Sequence, residues 1–347
     1  MTTKHKNTFL MNVFNGAGLG IVIALGPTAL FSELLKALVP HFPALAVGLQ
    51  VITMASSLAG IAVGAAIANA FHFTTIEMVT VGIVSMISGR AIQVQDKLYV
   101  LKGTGDIITM CIASALAVAF ILAIRKPTKQ YAILVIPSLT IVFIGTLGYL
   151  INPYVTMLTT WIGQGVAYAL TLQPLLLAII IAVVFAVLIA TPISVVGIAL
   201  AIQLAGMGSG AANLGVVACC WALTIACRRS NPLGIVLTHI IGAPKMSMNN
   251  VLTKPKLFIP IIIEAIVLGT LAAIFNIQGT PLSAGFGVSG LVGPINHLNI
   301  VGWSFGTIVV LLFLYIIIPV SLSFALDYLF VDVLKWIDAE DYRIELI

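Results

Sequence analysis

The stretch PLLLAIIIAVVFAVLIA, from Pro174 to Ala190, runs for 17 residues without one polar side chain. It lies within 97 residues, Tyr131 to Cys227, that include no Asp, Glu, Lys or Arg. A second uncharged run, Ala265 to Leu326, adds 62 residues. A helix crosses the hydrocarbon core of a bilayer with about 20 apolar residues, so the longer run alone holds two to four crossings. The chain is therefore predicted to be an all-α polytopic membrane protein.

The composition supports the same fold class. Hydrophobic residues make up 61% of the chain, charged residues only 8%, and the mean hydropathy is +1.17. Soluble domains are about 25% charged. The formal net charge of +5 is uneven, because residues 327–347 carry −4 and the remainder +9. The bases lie near predicted helix ends, where they set topology, so nucleic acid is not predicted as a partner.

The polar and charged residues between the apolar segments predict the number and direction of the membrane crossings. We expect eight full spans, or ten if two short segments that meet at Gly206–Gly210 both cross the bilayer. With both termini in the cytoplasm, the inner side carries ten basic residues and the outer side four. This bias follows the positive-inside rule, so the inner placement of both termini is predicted. Residues 1–326 form the predicted transmembrane domain.

Two segments have the pattern of amphipathic helices. Residues 327–347 place apolar side chains near helical spacing among acidic ones, which predicts a cytoplasmic acidic helix as a C-terminal tail. Residues 153–173 contain Tyr154, Trp161 and Tyr168, each seven residues from the next. This spacing is typical of a helix that lies in the membrane interface.

Three hydrophobic segments are interrupted by glycine, proline and polar residues. They are GMGSGAANL at Gly206–Leu214, LTHIIGAPKMSMNN at Leu237–Asn250 and GTPLSAGFGVSGLVGPIN at Gly279–Asn296. Broken helices expose backbone polar groups, which survive in a membrane only inside protein or beside a watery cavity. Transporters use such breaks to bind a substrate near the midplane, and we expect Gly279–Asn296 to re-enter from the outer side. The alternative is that the glycines simply allow close helix packing.

The candidate solute-binding residues are polar groups within these segments or deep inside a span. Glu264 is the one charged residue between Lys256 and Asp327, and it lies about 12 Å into its span. His239 lies beside the break at Gly242–Pro244. The alternatives are a structural hydrogen bond for Glu264 and a satisfied core position for His239. The interrupted segments add Ser209, Asn213, Asn249, Asn250, Ser283 and Asn296.

Motifs of self-contained catalysis are not found. The chain has no GxxxxGK[ST] phosphate loop and no HExxH string. Gly302–Gly306, GWSFG, matches GxSxG, but it opens a membrane span, and a nucleophile elbow needs a preceding strand and a later His. The four cysteines have neither zinc-site nor CxxC spacing. No catalytic residue, metal or cofactor is predicted, so the chain is at most the membrane part of an enzyme system.

At the interrupted segments the chain resembles the membrane-embedded IIC component of bacterial phosphotransferase-system (PTS) sugar transporters. Within that family it is most similar to the branch that includes perfringolysin-regulator-type proteins. The resemblance covers nearly the whole chain. It is carried by MNVFNG at residues 11–16, GSGAANLG at 208–215, IGAPKMSMNN at 241–250 and the loop at 279–294.

The resemblance implies a homodimer in the bacterial cytoplasmic membrane, in which each protomer presents a sugar to a cytosolic IIB protein. IIB carries a phosphoryl group on Cys or His and donates it to the sugar during uptake. A His and a Glu hold the sugar hydroxyls in this family, and the nearest matches are His239 and Glu264. The chain departs from the family pattern, because a Gly-Ile-Thr-Glu string is missing after the loop and Glu264 precedes it. No IIA or IIB domain is found within these 347 residues, so coupling to phosphorylation would need a separate cytosolic IIB protein, and uptake without such coupling stays an alternative.

We therefore expect a transporter that binds and translocates a sugar or a similar small polar solute. One alternative is a membrane-embedded sensor or regulator that binds a solute without transport and signals through the acidic tail. The other is an ion-coupled carrier with Glu264 as the proton or cation site. A neighbouring gene for a lone IIB protein would favour the first of these three functions.

Overall fold

The computed structural model describes residues 3–101, 103–169 and 172–344, and it is helical nearly throughout. The predicted all-α membrane class is confirmed, with one small antiparallel hairpin formed by β1 (Ile92–Gln95) and β2 (Leu98–Leu101). The α-helices are α1 (Thr3–Leu38), α2 (Leu45–Ser57), α3 (Ala59–Ala70), α4 (Thr75–Ser88), α5 (Ile107–Ile124), α6 (Ala132–Leu139), α7 (Thr146–Ala169), α8 (Pro174–Ile189), α9 (Val195–Ala201), α10 (Gly206–Cys227), α11 (Leu233–Ile241), α12 (Met248–Thr253), α13 (Phe258–Ile274), α14 (Val292–Val301), α15 (Phe305–Leu312) and α16 (Ile318–Asp327). Turns of 3-10 helix lie at Lys129–Tyr131, Pro244–Ser247, Pro255–Leu257, Ser289–Leu291 and Ala339–Tyr342, and π-helical turns at Thr140–Gly145, Phe313–Ile317 and Tyr328–Val333.

In the described part of the chain, six helical segments are long and apolar enough to cross a bilayer. They are Phe9–Thr28, Ile107–Ile124, Ala132–Tyr168, Gly206–Cys227, Pro255–Ile274 and Phe305–Val333. The count rises to seven if α2 and α3, which meet at 51°, form one broken span. It is lower than the predicted eight to ten because α4 and α8 are apolar but have only 14 and 16 residues.

The bend between α2 and α3 follows three hydroxyl residues at the end of α2. The hydroxyl groups of Thr53, Ser56 and Ser57 donate to backbone carbonyls in the preceding turn, at 2.7 to 3.2 Å. Such bonds compete with the helical ladder and bend helices. Three closely spaced hydroxyl residues therefore account for the break that follows at Leu58.

The chain divides into two compact units, and each is described by itself. Residues 3–28 and 38–158 belong to the first. Its helices approach through glycines: a Cβ atom on Gly64 of α3 would lie 2.5 Å from the carbonyl oxygen of Val81 in α4. Close contact of this kind is how helices associate without a hydrophobic drive in lipid.

The second unit, residues 29–37 and 159–344, is built around α10. Nearly every residue of α10 is buried, and it packs against α8, α13 and α16. A Cβ atom on Gly215 of α10 would lie 2.1 Å from the carbonyl oxygen of Ala182 in α8. α10 thus forms the core of this unit.

The predicted break at Gly206–Gly210 lies a few residues earlier. α9 ends at Ala201, and the chain turns through left-handed conformations at Gln203 (φ +53°) and at Gly206 (φ +60°), the first residue of α10. Gly210 is inside α10, where an added Cβ atom would lie 1.9 Å from the carbonyl oxygen of Ile277. Close packing, rather than a break, requires glycine at this position.

The prediction of a separate interfacial helix covers residues 153–173, of which 170 and 171 lie outside the described residues, and no separate helix is observed in 153–169. α7 runs through Pro153 without ending, and the preceding helical turns extend it to one candidate span from Ala132 to Tyr168. Tyr154 and Trp161 are 72% and 68% exposed along it. The aromatic stripe therefore belongs to a long spanning helix, since a single proline is tolerated in membrane helices.

The C-terminal tail does not form the single amphipathic helix that was predicted. The helix ends at Val333, because Lys335 adopts a left-handed conformation (φ +53°) and the N–H groups of Trp336 and Ile337 donate to the carbonyl of Phe330. A left-handed residue of this kind is a common way for a helix to end. Residues 334–344, named here the C-terminal strap, fold back against the end of α10.

Candidate functional site

The irregular segment at residues 278–291, called the Gly-rich loop below, is fastened to the first turns of α10. Gly206 and Gly279 exchange two backbone hydrogen bonds, at 2.8 and 3.0 Å. Further along α10, the side-chain oxygen of Asn213 accepts the N–H groups of Phe286 and Gly287 at 3.2 and 3.1 Å. The start and the middle of the loop are therefore held by the same helix.

Three of the predicted site residues form one hydrogen-bonded cluster around Thr280. The Thr280 N–H donates to Oδ1 of Asn296 at 2.9 Å, and Oγ of Ser283 lies 2.9 Å from the same oxygen. The Ser209 hydroxyl donates to the Thr280 carbonyl at 2.9 Å. Ser209, Ser283 and Asn296 thus support the fold of the loop.

The Gly-rich loop adopts a backbone path that favours glycine and is buried in protein. Gly285, Gly287 and Gly290 have φ angles of +88°, +61° and +58°, a region that residues with a Cβ atom rarely adopt. Ser283 and Ala284 are 1% and 0% exposed. Irregular backbone at membrane depth is tolerated only in such surroundings, so the loop meets the requirement for a re-entrant segment.

Two polar groups beside this loop have no hydrogen-bond partner within the described ranges. They are the side-chain nitrogen Nδ2 of Asn213 and the hydroxyl of Tyr315, and both are buried. Both side chains approach Gly293 of α14: its Cβ position would lie 3.1 Å from Cγ of Asn213 and 3.2 Å from the Tyr315 hydroxyl. Buried polar groups normally have partners, so two together indicate a place for polar ligand atoms.

Glu264 lies in the middle of α13 and is fully buried. Its Oε2 accepts the hydroxyl of Ser323 in α16 at 2.8 Å. Its other oxygen, Oε1, has no partner among the residues that the structure describes. Cys219 and Cys220 of α10 are close enough to interact with it electrostatically. One oxygen of this carboxyl group is therefore left to bind a ligand.

His239 lies near the end of α10, away from Glu264, and both of its ring nitrogens have partners within the protein. Nε2 is 2.7 Å from the Ser247 hydroxyl and 3.9 Å from Sγ of Cys227, and Nδ1 is 3.2 Å from the Val236 carbonyl oxygen. Its side chain is fully buried. These contacts support the structural alternative for His239.

The two neighbouring asparagines of α12 differ in their surroundings. Nδ2 of Asn250 donates to the backbone carbonyls of Asp341 and Arg343, at 2.8 Å each, so this side chain holds the C-terminal strap. Oδ1 of Asn249 is buried and has no partner in the part of the chain that is described. Asn249 therefore retains an acceptor that a ligand or water can use.

The predicted residues are spread along α10 rather than gathered at one point. The Gly-rich loop meets it at Asn213, Glu264 is within electrostatic range of Cys220, and His239 lies beside Cys227. The 14 residues from Asn213 to Cys227 span about 21 Å at 1.5 Å per residue. One small solute in a fixed position does not contact all three levels.

Some buried polar residues were not among the predicted ones. Lys245 was counted as a topology marker, but its side chain is buried and Nζ donates to the carbonyls of Thr191 and Ile193, the latter at 3.0 Å. Nδ1 of His297 accepts the Gln278 N–H at 2.9 Å, where the Gly-rich loop begins. The sequence signal for His297 was its place in the uncharged run, beside the predicted Asn296.

An apolar cavity of about 300 Å³ lies beside the Gly-rich loop, α14, α15 and the π-helical turn Phe313–Ile317. Its lining includes Leu291, Ile295, Trp303, Leu312 and Tyr315. This lining offers almost no hydrogen bonds, so it does not suit a sugar. No three His, Cys, Asp or Glu side chains come together as a metal site in residues 3–101, 103–169 and 172–344.

Comparison with known protein families finds one family model that matches almost the whole chain. Residues 11–344 match the family model described as Phosphotransferase system, EIIC. No curated protein and no solved structure matches the chain. The match confirms the resemblance to IIC components, whereas the perfringolysin-regulator branch stays a prediction. The chain belongs to the EIIC family of the phosphotransferase system, and it is a multi-pass membrane component of sugar transport.

Proposed function

We propose that this protein binds and translocates a sugar or a similar small polar solute at a buried site along α10, where α14, the π-helical turn Phe313–Ile317 and α13 face it beside the Gly-rich loop. The observation that carries the proposal is the pair of unpartnered groups at Gly293, the Asn213 amide and the Tyr315 hydroxyl. A sugar hydroxyl both donates and accepts, so it satisfies such groups in place of water. Glu264, further along α10, supplies a second acceptor through Oε1.

The other predicted residues take supporting roles in this proposal. Ser209, Ser283 and Asn296 keep the Gly-rich loop in position. Asn249 retains a buried acceptor, whereas His239 and Asn250 organise the end of α10 and the strap. A solute that passes from Asn213 towards Glu264 meets polar groups in succession, as transport past a buried site requires.

Uptake is coupled, in this proposal, to a separate cytosolic IIB protein. The S–P or N–P bond on IIB breaks, an O–P bond to the solute forms, and the proton of the solute hydroxyl passes to the Cys or His side chain of IIB that the phosphoryl group leaves. The added charge keeps the product from returning through the membrane. We further propose that the chain works as a homodimer with both termini in the cytoplasm, as the family resemblance and the distribution of basic residues suggest.

The solute is best identified by thermal-shift screening of the purified protein against sugars, sugar alcohols and small acids. A compound that raises the unfolding temperature is then tested for uptake into proteoliposomes, with and without phosphorylated IIB. Uptake that requires IIB supports the proposal. Binding without uptake indicates a sensor, and uptake driven by an ion gradient without IIB indicates an ion-coupled carrier.

The binding site is tested with Tyr315→Phe, which removes only the unpartnered hydroxyl. We expect the affinity for the identified solute to fall about tenfold, the equivalent of one hydrogen bond. Thermal stability without solute should not fall, because an unsatisfied buried polar group is lost. Tyr328→Phe is the matched control, since Tyr328 is 61% exposed. Unchanged affinity in Tyr315→Phe would exclude this hydroxyl from the site.

The role of the Gly-rich loop is tested separately. Gly287 has φ +61°, and a Cβ atom there would lie 2.7 Å from a methyl group of Val216. Gly287→Val should therefore abolish uptake while the protein still reaches the membrane. The same change at Gly285 should act alike, because its φ is +88°. Normal uptake in both variants would show that the loop has no part in transport.

A further inference from the structure

A line of polar groups follows one face of α16 from Glu264 towards the end of the last span. Ser323 donates to Oε2 of Glu264 at 2.8 Å, and Asp327 lies four residues later, so both project from the same face. Ser323 and Asp327 also line one small cavity, of about 10 Å³. Its other walls include Ala222 and Ala226 of α10, Pro260 of α13 and Tyr342 of the strap.

The cavity is polar on the side of α16. The Asp327 side chain is only 3% exposed, and its Oδ2 accepts Arg228 and Arg229 at 2.7 and 3.0 Å. Its Oδ1 is buried and has no partner among the described residues. Ser323 uses its proton towards Glu264, which leaves its oxygen able to accept. A volume near 10 Å³ is close to the least that one water molecule needs, and the polar groups are its usual partners.

We propose that Ser323, one water molecule in this cavity and Asp327 form a proton relay to the Glu264 carboxyl group. A proton from bulk water reaches the Asp327 carboxylate on the side of Oδ2, where Arg228 and Arg229 are part-exposed, and the carboxyl group passes it from Oδ1 to the cavity water. That water gives a proton to Oγ of Ser323, while the Ser323 hydroxyl proton moves to Oε2 of Glu264. Ser323, the cavity water and Asp327 end as they began, and Glu264 changes from carboxylate to carboxylic acid.

One end of the relay lies close to solvent, and a residue of the C-terminal strap closes its cavity. The side chains of Arg228 and Arg229 are 35% and 27% exposed, so Asp327 lies one residue away from solvent. Tyr342 closes the cavity from the C-terminal strap. Other ionisable groups along the path are Cys219 and Cys220 near Glu264, and Cys227 beside the strap. The relay is independent of the proposed solute transport, because protons can move along it without any solute.

The relay can be tested by infrared spectroscopy of the full-length protein in lipid nanodiscs, with no solute present. The carboxylic acid band that disappears in Glu264→Gln is assigned to Glu264. The pH is lowered until this band is complete, and the sample is transferred to D₂O at that pH. We expect the band to shift about tenfold more slowly in Ser323→Ala than in the unmodified protein, as loss of one hydrogen-bonded step would produce.

Three controls separate a relay from a merely structural role. Ser323→Thr retains the hydroxyl group and should exchange close to the unmodified rate. Ser321→Ala changes an exposed serine of the same helix and should have no effect. Tyr342→Ala removes the cover and should speed exchange. The proposal is overturned if Ser323→Ala exchanges at the unmodified rate, or if no band depends on Glu264 at any pH at which the protein stays folded.

Discussion

The side-chain oxygen of Asn213 accepts the backbone N–H of Gly287 at 3.1 Å, although 74 residues separate them in sequence. The same oxygen accepts the N–H of Phe286 at 3.2 Å. A single side chain inside α10 therefore fixes the centre of the Gly-rich loop. Both N–H groups lie at a place where water is scarce, so each depends on this acceptor.

Replacement of Asn213 should therefore destabilise the protein before any solute is considered. In Asn213→Leu two buried donors lose their acceptor, and each unsatisfied group costs about 1–3 kcal/mol. The unfolding temperature in detergent should fall clearly. Asn299→Leu is the control, because Asn299 is exposed on α14 and accepts only from the Trp303 ring in its own neighbourhood. Equal unfolding temperatures for the two variants would show that Asn213 does not hold the loop.

Close helix packing in the second unit predicts opposite effects for two glycine substitutions. At Gly210 an added methyl group would lie 1.9 Å from the Ile277 carbonyl oxygen, so backbone must move, at a cost of about 1–3 kcal/mol or more. At Gly234 of α11 nothing lies within 4 Å, and alanine favours the helix by up to about 1 kcal/mol. Thermal unfolding of Gly210→Ala and Gly234→Ala should therefore shift in opposite directions. A stable Gly210→Ala protein would contradict the packing.

The sequence predicted those features that depend on composition and on the glycine, proline and polar residues that interrupt apolar segments. The uncharged runs identified the membrane fold, and the glycines of residues 279–296 identified a buried irregular segment. The burial of Glu264 also followed from the sequence. A lone ionisable residue in an apolar span faces the interior of the helix bundle, because contact with lipid is unfavourable. Each of these conclusions uses only the residue and its neighbours in sequence.

Features that depend on tertiary packing were not predictable in this way. The bend after Ser57 and the end of the helix at Val333 left no clear mark in hydropathy. Lys245 was counted among the ten basic residues of the inner side, yet its buried amine is satisfied by backbone carbonyls 50 residues away or more. His239 in α11 and Glu264 in α13 face α10 at different heights. This separation depends on how α11 and α13 pack against α10, which no spacing in the sequence specifies.

The attachment of the C-terminal strap should depend on pH. Asp341 forms ion pairs with Lys254 and Lys256 at 2.7 and 2.6 Å. Partial burial opposes its ionisation, but hydrogen bonds from the two lysines outweigh this effect and lower the pKa of Asp341 to about 2. Because the pKa is lowered on folding, its stabilisation is complete above the unfolded value of about 4 and is lost as the pH falls towards 2.

Limited proteolysis of the strap at a series of pH values measures this effect, with an acid-active protease. We expect cleavage to increase between pH 4 and pH 2 in the unmodified protein. Asp341→Asn should already be cleaved more readily at pH 4, where the protease is active, and should lose most of the change in this interval. Each exposed pair contributes at most about 1 kcal/mol, so the difference in cleavage should be severalfold rather than complete. A pH-independent pattern in the unmodified protein would contradict the role of Asp341.

The predicted orientation in the membrane can be tested at two exposed positions on either side of one span. Asp96 lies in the hairpin turn and Pro127 follows α5, with the candidate span Ile107–Ile124 between them. In a background without native cysteines, a membrane-impermeant thiol reagent should label Asp96→Cys in intact cells. Pro127→Cys should react only after permeabilisation. The reverse pattern would place both termini outside.

The last prediction concerns Glu264, whose carboxyl group has one oxygen bonded to Ser323 and one without a partner among the described residues. Glu264→Gln keeps the shape and an acceptor but removes the charge, so it separates two roles. If the group binds solute hydroxyls, affinity should fall by about tenfold and uptake should persist weakly, because a hydrogen bond to a charged group is worth about 1.5–3 kcal/mol and a neutral one about half as much. If it carries a coupling proton or cation, uptake should stop while binding remains.

Glu264→Ala should also destabilise the protein, since the Ser323 hydroxyl then loses its acceptor. Thr270→Ala is the control on the same helix, as the Thr270 hydroxyl donates to the Ile266 carbonyl within α13. Binding and uptake at the unmodified level in both Glu264 variants would leave the carboxyl group with a structural role alone.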